Sequence, residues 1–123
     1  MTDRHYSVLV AEDNKVNQIA AEDMLNILGC AVDMVDNGPE AIDHLSQNSY
    51  DVVFMDCQMP VMDGFEATQT LKAGSTDTPP IVAMAAHAMA GDEERCLAAG
   101  MDDYVTKPLE IEDFARMLTK WAE

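Results

Sequence analysis

Basic residues are scarce in this chain. Seven lysines and arginines stand against 23 aspartates and glutamates, a formal net charge of −16, so a nucleic-acid backbone or an anionic membrane would be repelled. Direct nucleic-acid binding is therefore not expected. Long hydrophobic runs are missing as well: the longest fall far short of the roughly 20 apolar residues of a membrane-spanning helix, which argues against membrane insertion. Met1-Thr2-Asp3-Arg4-His5 leads into a short apolar run that soon reaches Glu12 and Asp13. That is no signal-peptide core, and the default expectation is a cytoplasmic protein. Cysteine is sparse, with Cys30, Cys57 and Cys96 widely spaced and no Cys-x-x-Cys pair. Neither a disulfide framework nor a zinc knuckle is suggested, and reduced thiols are expected. Only six glycines occur, with neither a Gly-x-Gly-x-x-Gly nor a Walker lysine loop among them, which speaks against nucleotide binding.

What remains is an ordinary globular composition. The 123 residues are 48% hydrophobic and 24% charged, the size of one domain, so a single domain over 1–123 is expected. Five short apolar runs alternate with five longer amphipathic ones, the βα repeat of an α/β fold. The strand candidates are 6–11, 31–35, 51–56, 81–85 and 104–106. The first, third and fourth are nearly continuous apolar runs, as in a parallel sheet covered on both faces. Asn14 is a candidate N-cap for a helix carrying Val16, Ile19, Ala20, Met24, Ile27 and Leu28, which Gly29 stops. A second helix starts at Gly38-Pro39 and buries Ala41, Ile42 and Leu45. A third spans about 64–73 and a fourth about 88–99. The last places Ile111, Phe114, Leu118 and Trp121 on one face, which closes the core.

Such a sheet has its ligand crevice outside the carboxyl ends of the strands. Glu12-Asp13 follow the first strand, Asp56 ends the third, Ala85-Ala86-His87 lie at the end of the fourth, and Lys107-Pro108 follow the fifth. Val52-Val53-Phe54-Met55 drive a buried strand directly into Asp56, and a carboxylate so placed needs a partner. Three carboxylates held close repel one another. A hard divalent cation relieves this with oxygen ligands, and Mg²⁺, which usually binds phosphate oxygens too, is the natural occupant. Asp56 can then act as a carboxylate nucleophile, with Mg²⁺ and Lys107 neutralising charge on the transferred group. The product is an aspartyl phosphate. The ten methionines read as adaptable core and interface filler, and Cys57 as a small buried side chain.

From "VLVAEDNKVNQ" through "DVVFMDCQMPVMDGFEAT" to "AAGMDDYVTKPL", the chain resembles a response-regulator receiver domain of two-component signalling, most like the receivers of hybrid sensor histidine kinases. The resemblance implies a flavodoxin-like (βα)5 three-layer sandwich with a five-stranded parallel sheet in the order 2-1-3-4-5. It makes Asp56 the phospho-acceptor, Asp13 a direct Mg²⁺ ligand, Glu12 a ligand through water, and the Gln58 backbone carbonyl the remaining protein ligand. Lys107 would bind the phosphoryl group, across a cis bond to Pro108. Gly64 would serve a turn needing positive φ, and Tyr104 stands at the aromatic switch position. His87 either flanks the site, as side chains at this position do in the family, or is simply a partly exposed residue at the start of helix four. The family usually has serine or threonine at the end of strand four, where this chain has Ala85. No serine or threonine occurs from Pro79 through Val105, so no shift of alignment supplies one.

The implied function is acceptance of a phosphoryl group from a phosphohistidine on a histidine kinase or histidine phosphotransfer domain. Output would pass through helix four, strand five and helix five to a protein partner, since no effector domain is expected. Such a module is not a turnover enzyme; it assists its own phosphorylation and dephosphorylation. The alternative is a receiver-fold binding module uncoupled from phosphorylation because the switch hydroxyl is absent. An aspartate-nucleophile phosphohydrolase of the haloacid-dehalogenase type is disfavoured, because Gln58 stands where those enzymes carry a second aspartate.

Overall fold

Apolar runs of five residues are too short for buried helices and long enough for strands, and the chain uses them so. In the computed structural model, residues 6–57, 59, 62–74, 78–85 and 92–122 are described. Strands β1 (Ser7–Ala11), β2 (Ala31–Val35), β3 (Val52–Asp56), β4 (Ile81–Ala85) and β5 (Asp103–Thr106) form one parallel sheet in the order β2-β1-β3-β4-β5. Helices α1 (Lys15–Ile27), α2 (Gly38–Gln47), α3 (Gly64–Gly74), α4 (Asp92–Ala99) and α5 (Ile111–Met117) alternate with them. This is the flavodoxin-like architecture that the resemblance implies. Strands β3 and β4 are buried throughout, whereas edge strand β2 alternates between exposed and covered positions.

Helices on both faces make two cores. On one face Leu9, Val53, Met55, Ile81 and Ala83 meet Ala41, Ala67, Leu71 and Cys96 from α2, α3 and α4. On the other, Val8, Val10, Phe54 and Val82 meet Ala21, Leu25, Phe114 and Leu118 from α1 and the C-terminal helix. Phe54 and Phe114 pack edge to face, centroids 5.0 Å apart. Strand order reverses at β1, which lies between β2 and β3. The carboxyl ends of β1 and β3 therefore adjoin, at the point where this topology opens a crevice.

Two expectations need correction. Helix α1 starts at its Asn14 cap, whose Oδ1 accepts from the backbone N–H groups of Val16 and Asn17, and Gly29 at φ 87° follows its end. Only part of the expected apolar set faces inward, however: Met24 and Leu28 pack against the core, Val16, Ile19 and Ile27 are exposed, and the buried positions are Gln18, Ala21 and Leu25. The inward stripe runs 18, 21, 25, 28 at spacings of three and four, with a polar residue at its head. The last helix does bury Phe114 and Leu118, with Trp121 packed against that core, but it widens into a π-helix at Leu118–Ala122 and buries Met117 as well. Among the described glycines, positive φ occurs at Gly29 and Gly100, not at Gly64. The start of helix four near Ala88 lies outside the described residues.

Candidate functional site

Strand β3 ends in Asp56, a carboxylate only 3% exposed. Its partner is Lys107, directly after β5, whose Nζ lies 2.8 Å from Asp56 Oδ2 and 2.9 Å from Glu12 Oε1. Burial pushes the Lys107 ammonium toward a lower pKa, but hydrogen bonds and charge from Asp56 and Glu12 outweigh it and raise it above the ordinary lysine value. The ammonium is thus a fixed positive charge in the site. Its backbone is held as well, because the Lys107 N–H donates to the Ala85 carbonyl at 2.8 Å; the Lys107–Pro108 bond is cis, as expected.

Glu12 is equally constrained. Its N–H donates to the Val35 carbonyl at 3.0 Å, and its Oε2 accepts from the Asn14 N–H at 3.1 Å. Asp13, the next residue, is exposed. Carboxylate oxygens of Glu12, Asp13 and Asp56 lie within 4.8 Å of one another. Three hard oxygen donors so close, with one ammonium among them, are a donor set suited to a small divalent cation.

Behind Asp56 the chain turns back sharply. Cys57 N–H donates to Met84 carbonyl and Gly64 N–H to Cys57 carbonyl, both at 3.1 Å. A Cβ on Gly64 would stand 2.3 Å from the Asp56 carbonyl oxygen, so glycine is required here by close approach of backbone, not by φ. Asp63 then caps α3, its Oδ1 accepting from Glu66 N–H at 2.8 Å.

The β4 side of the rim differs. Ala85 is buried and brings only a methyl group. Tyr104 is half-buried against the core that contains Ala83 and Ala85. Pro108 lines a groove of about 290 Å³ with Leu109, Asn17, Ala20 and Met24, which opens beside Glu12 and Lys107. Gln58 and His87 lie outside the described residues. Sequence reasoning overlooked Gln18, whose amide touches the backbone of Glu12; its place on the 18-21-25-28 stripe was the available signal.

A family model for the response regulator receiver domain matches residues 8–119. The chain belongs to that family. The sensor protein GacS of Pseudomonas syringae pv. syringae is 38% identical over 125 residues, covering 98% of this chain and 14% of that protein. The receiver thus spans about one-seventh of that relative's length. The receiver domain of sensor histidine kinase PA1611 from Pseudomonas aeruginosa PAO1 is 39% identical with a TM-score of 0.86, covering 97% of this chain and 98% of that one. In that structure a magnesium ion is coordinated in the active-site cleft. The receiver of Saccharomyces cerevisiae Ssk1, solved with the phosphotransfer protein Ypd1, is 27% identical with a TM-score of 0.90, covering 99% of this chain and 92% of that one. Among the described residues of this receiver, no helix is long and apolar enough to cross a membrane.

Proposed function

We propose that this receiver accepts a phosphoryl group on Asp56 from a phosphohistidine of a histidine kinase or histidine phosphotransfer domain. The observation that carries this reading is the buried Asp56 carboxylate held on the Lys107 ammonium within reach of two further carboxylates. An Asp56 oxygen attacks phosphorus, the P–O bond forms, the P–N bond to the donor imidazole breaks, and the imidazole leaves with the electron pair. Lys107 stays charged and in place to neutralise a phosphoryl oxygen, at no cost of reorganisation.

Glu12, Asp13 and Asp56 would hold Mg²⁺, with the Gln58 carbonyl as a fourth protein donor. The ion supplies charge neutralisation for the transferred group. A donor domain must pack against the rim to deliver its phosphohistidine. The exposed Val16 and Ile19 on α1, beside the groove lined by Pro108 and Leu109, offer it an apolar surface. The module remains a signalling switch and not a turnover enzyme, and output runs through α4, β5 and α5.

Incubation with acetyl phosphate and Mg²⁺ should add one phosphoryl group by intact mass, and Asp56→Asn should abolish it. A wild-type chain that stays unmodified with both acetyl phosphate and a phosphorylated phosphotransfer domain rules the reading out.

The buried methyl of Ala85 favours a second reading of the output, in which phosphate is accepted but does not move Tyr104. Partner affinity measured with and without phosphorylation of Asp56 separates the two, since equal affinities leave only the uncoupled module.

A further inference from the structure

We infer that Gln18 is a positioning residue of the acidic site: its side-chain amide clamps the Glu12–Asp13 peptide and so sets the direction in which Asp13 presents its carboxylate to a divalent cation. The inference rests on the magnesium-dependent reading above and names a residue that the reading does not itself require.

Gln18 lies one turn into α1 and is buried, at 8% exposure. Its Nε2 carries two hydrogens, and both are used. One goes to the Glu12 carbonyl at 2.5 Å and the other to Asp36 Oδ1 at 2.6 Å, just past the end of β2. The Glu12 carbonyl belongs to the peptide that carries the Asp13 nitrogen, so this bond fixes the plane from which Asp13 departs. Glu12 N–H is held from its other side by the Val35 carbonyl. Glu12 is thereby pinned between α1 and β2, and Asp13 departs from a fixed peptide plane.

An apolar residue would serve burial better here, because positions 21, 25 and 28 of the same stripe are Ala, Leu and Leu, and an amide costs free energy to bury unless both donors are met. The polar head of the stripe is placed at its end nearest the site. The contact also registers at its other partner: the bond from Gln18, then that from Lys15, holds the Asp36 carboxyl below the usual carboxylate range.

Gln18→Met keeps the length and removes both donors. Mg²⁺ titrated into the full chain by calorimetry should bind roughly tenfold more weakly or worse than to wild type. In parallel NMR titrations, the Asp13 amide should lose part of its metal-induced shift. Asp36→Asn, which retains an acceptor oxygen for Gln18, should bind Mg²⁺ like wild type, and Asp36→Ala should show a smaller loss than Gln18→Met. A Gln18→Met protein that melts earlier but binds Mg²⁺ with unchanged affinity overturns the inference and leaves Gln18 a structural residue. Should Gln18→Met fail to fold, unchanged affinity in Asp36→Ala overturns it instead. Wild type that binds no Mg²⁺ overturns the magnesium-dependent reading first, which is a distinct result.

Discussion

On one side of the rim, β1, β3 and the residue after β5 bring Glu12, Asp56 and Lys107 into ion-pair contact; on the other, β4 ends in the methyl of Ala85. Both sides are buried and both rest on the same sheet register, in which Asp56 pairs with Met84 and Ala85 with Thr106. They differ in chemistry alone. The first side gathers a buried carboxylate, an ammonium and two further acidic groups, the set on which the proposed phosphoryl acceptance rests. The second ends in an apolar methyl and, in the proposed reading, offers a bound phosphoryl group no hydroxyl. If the proposed function holds, acceptance and transmission are separable properties, each tied to its own strand ends.

The comparison breaks hardest at Lys107. Lys107→Ala leaves two buried carboxylates without their cation and should cost about 3 kcal/mol in metal-free urea denaturation, with part regained on adding Mg²⁺; an unchanged midpoint would mean that the acidic side holds itself together without the ammonium. Gly64→Ala drives a methyl into the Asp56 carbonyl and should cost roughly 2 kcal/mol, together with slower phosphorylation by acetyl phosphate. If it melts like wild type, the turn behind Asp56 is softer than its geometry indicates.

The other side is sharpened by adding what it lacks. A hydrogen bond to a charged group contributes roughly 1.5–3 kcal/mol, so Ala85→Ser should widen the ratio of phosphorylated to unphosphorylated partner affinity by about tenfold or more, with little change in the phosphorylation rate. A ratio that does not move would place the block to transmission beyond β4.

The smallest effect belongs at the far end of the sheet, as a control. Burial pushes the Asp103 carboxyl up, but bonds from Lys120, Trp121 and the Tyr104 N–H, with the Lys120 charge, outweigh it and hold it below its ordinary value. A depressed carboxyl adds stability above its unfolded pKa, and the gain is lost as pH falls through the folded one. Asp103→Asn should therefore lose at most about 1 kcal/mol near neutrality, with the difference from wild type beginning to shrink near pH 4 and gone only below the depressed folded-state value, and should leave phosphorylation untouched. A changed phosphorylation rate would show that the two ends of the sheet are coupled.

The strands were legible because β1, β3 and β4 are buried on both faces, so that continuous apolar sequence and burial coincide. Asp56 was legible for the same reason, since a carboxylate at the end of such a strand demands a partner, and Lys107 supplies it. That β4 ends in alanine, with no serine or threonine from Pro79 through Val105, could be read directly from the sequence. Helix α1 misled because hydrophobicity and burial part company there: Val16, Ile19 and Ile27 face outward while Gln18 faces in. A polar side chain that earns its buried place through two hydrogen bonds carries no hydrophobic signal. Gly64 was singled out correctly for the wrong cause, because a sequence shows a glycine but not the carbonyl 2.3 Å from where its Cβ would be. The π-helix at Leu118–Ala122 likewise departs from the period on which helical faces are counted.

Trp121, the chain's one tryptophan, donates its indole N–H to Asp103 at 3.1 Å, with the Lys120 ammonium 5.3 Å from the ring centre. It sits at the start of β5, a strand's length from Lys107. Intrinsic fluorescence therefore watches the seam between β5 and the C-terminal helix and not the acidic pocket. Emission that stays constant while Asp56 is phosphorylated marks a signal that stops at the rim; emission that changes marks one that has crossed the whole domain.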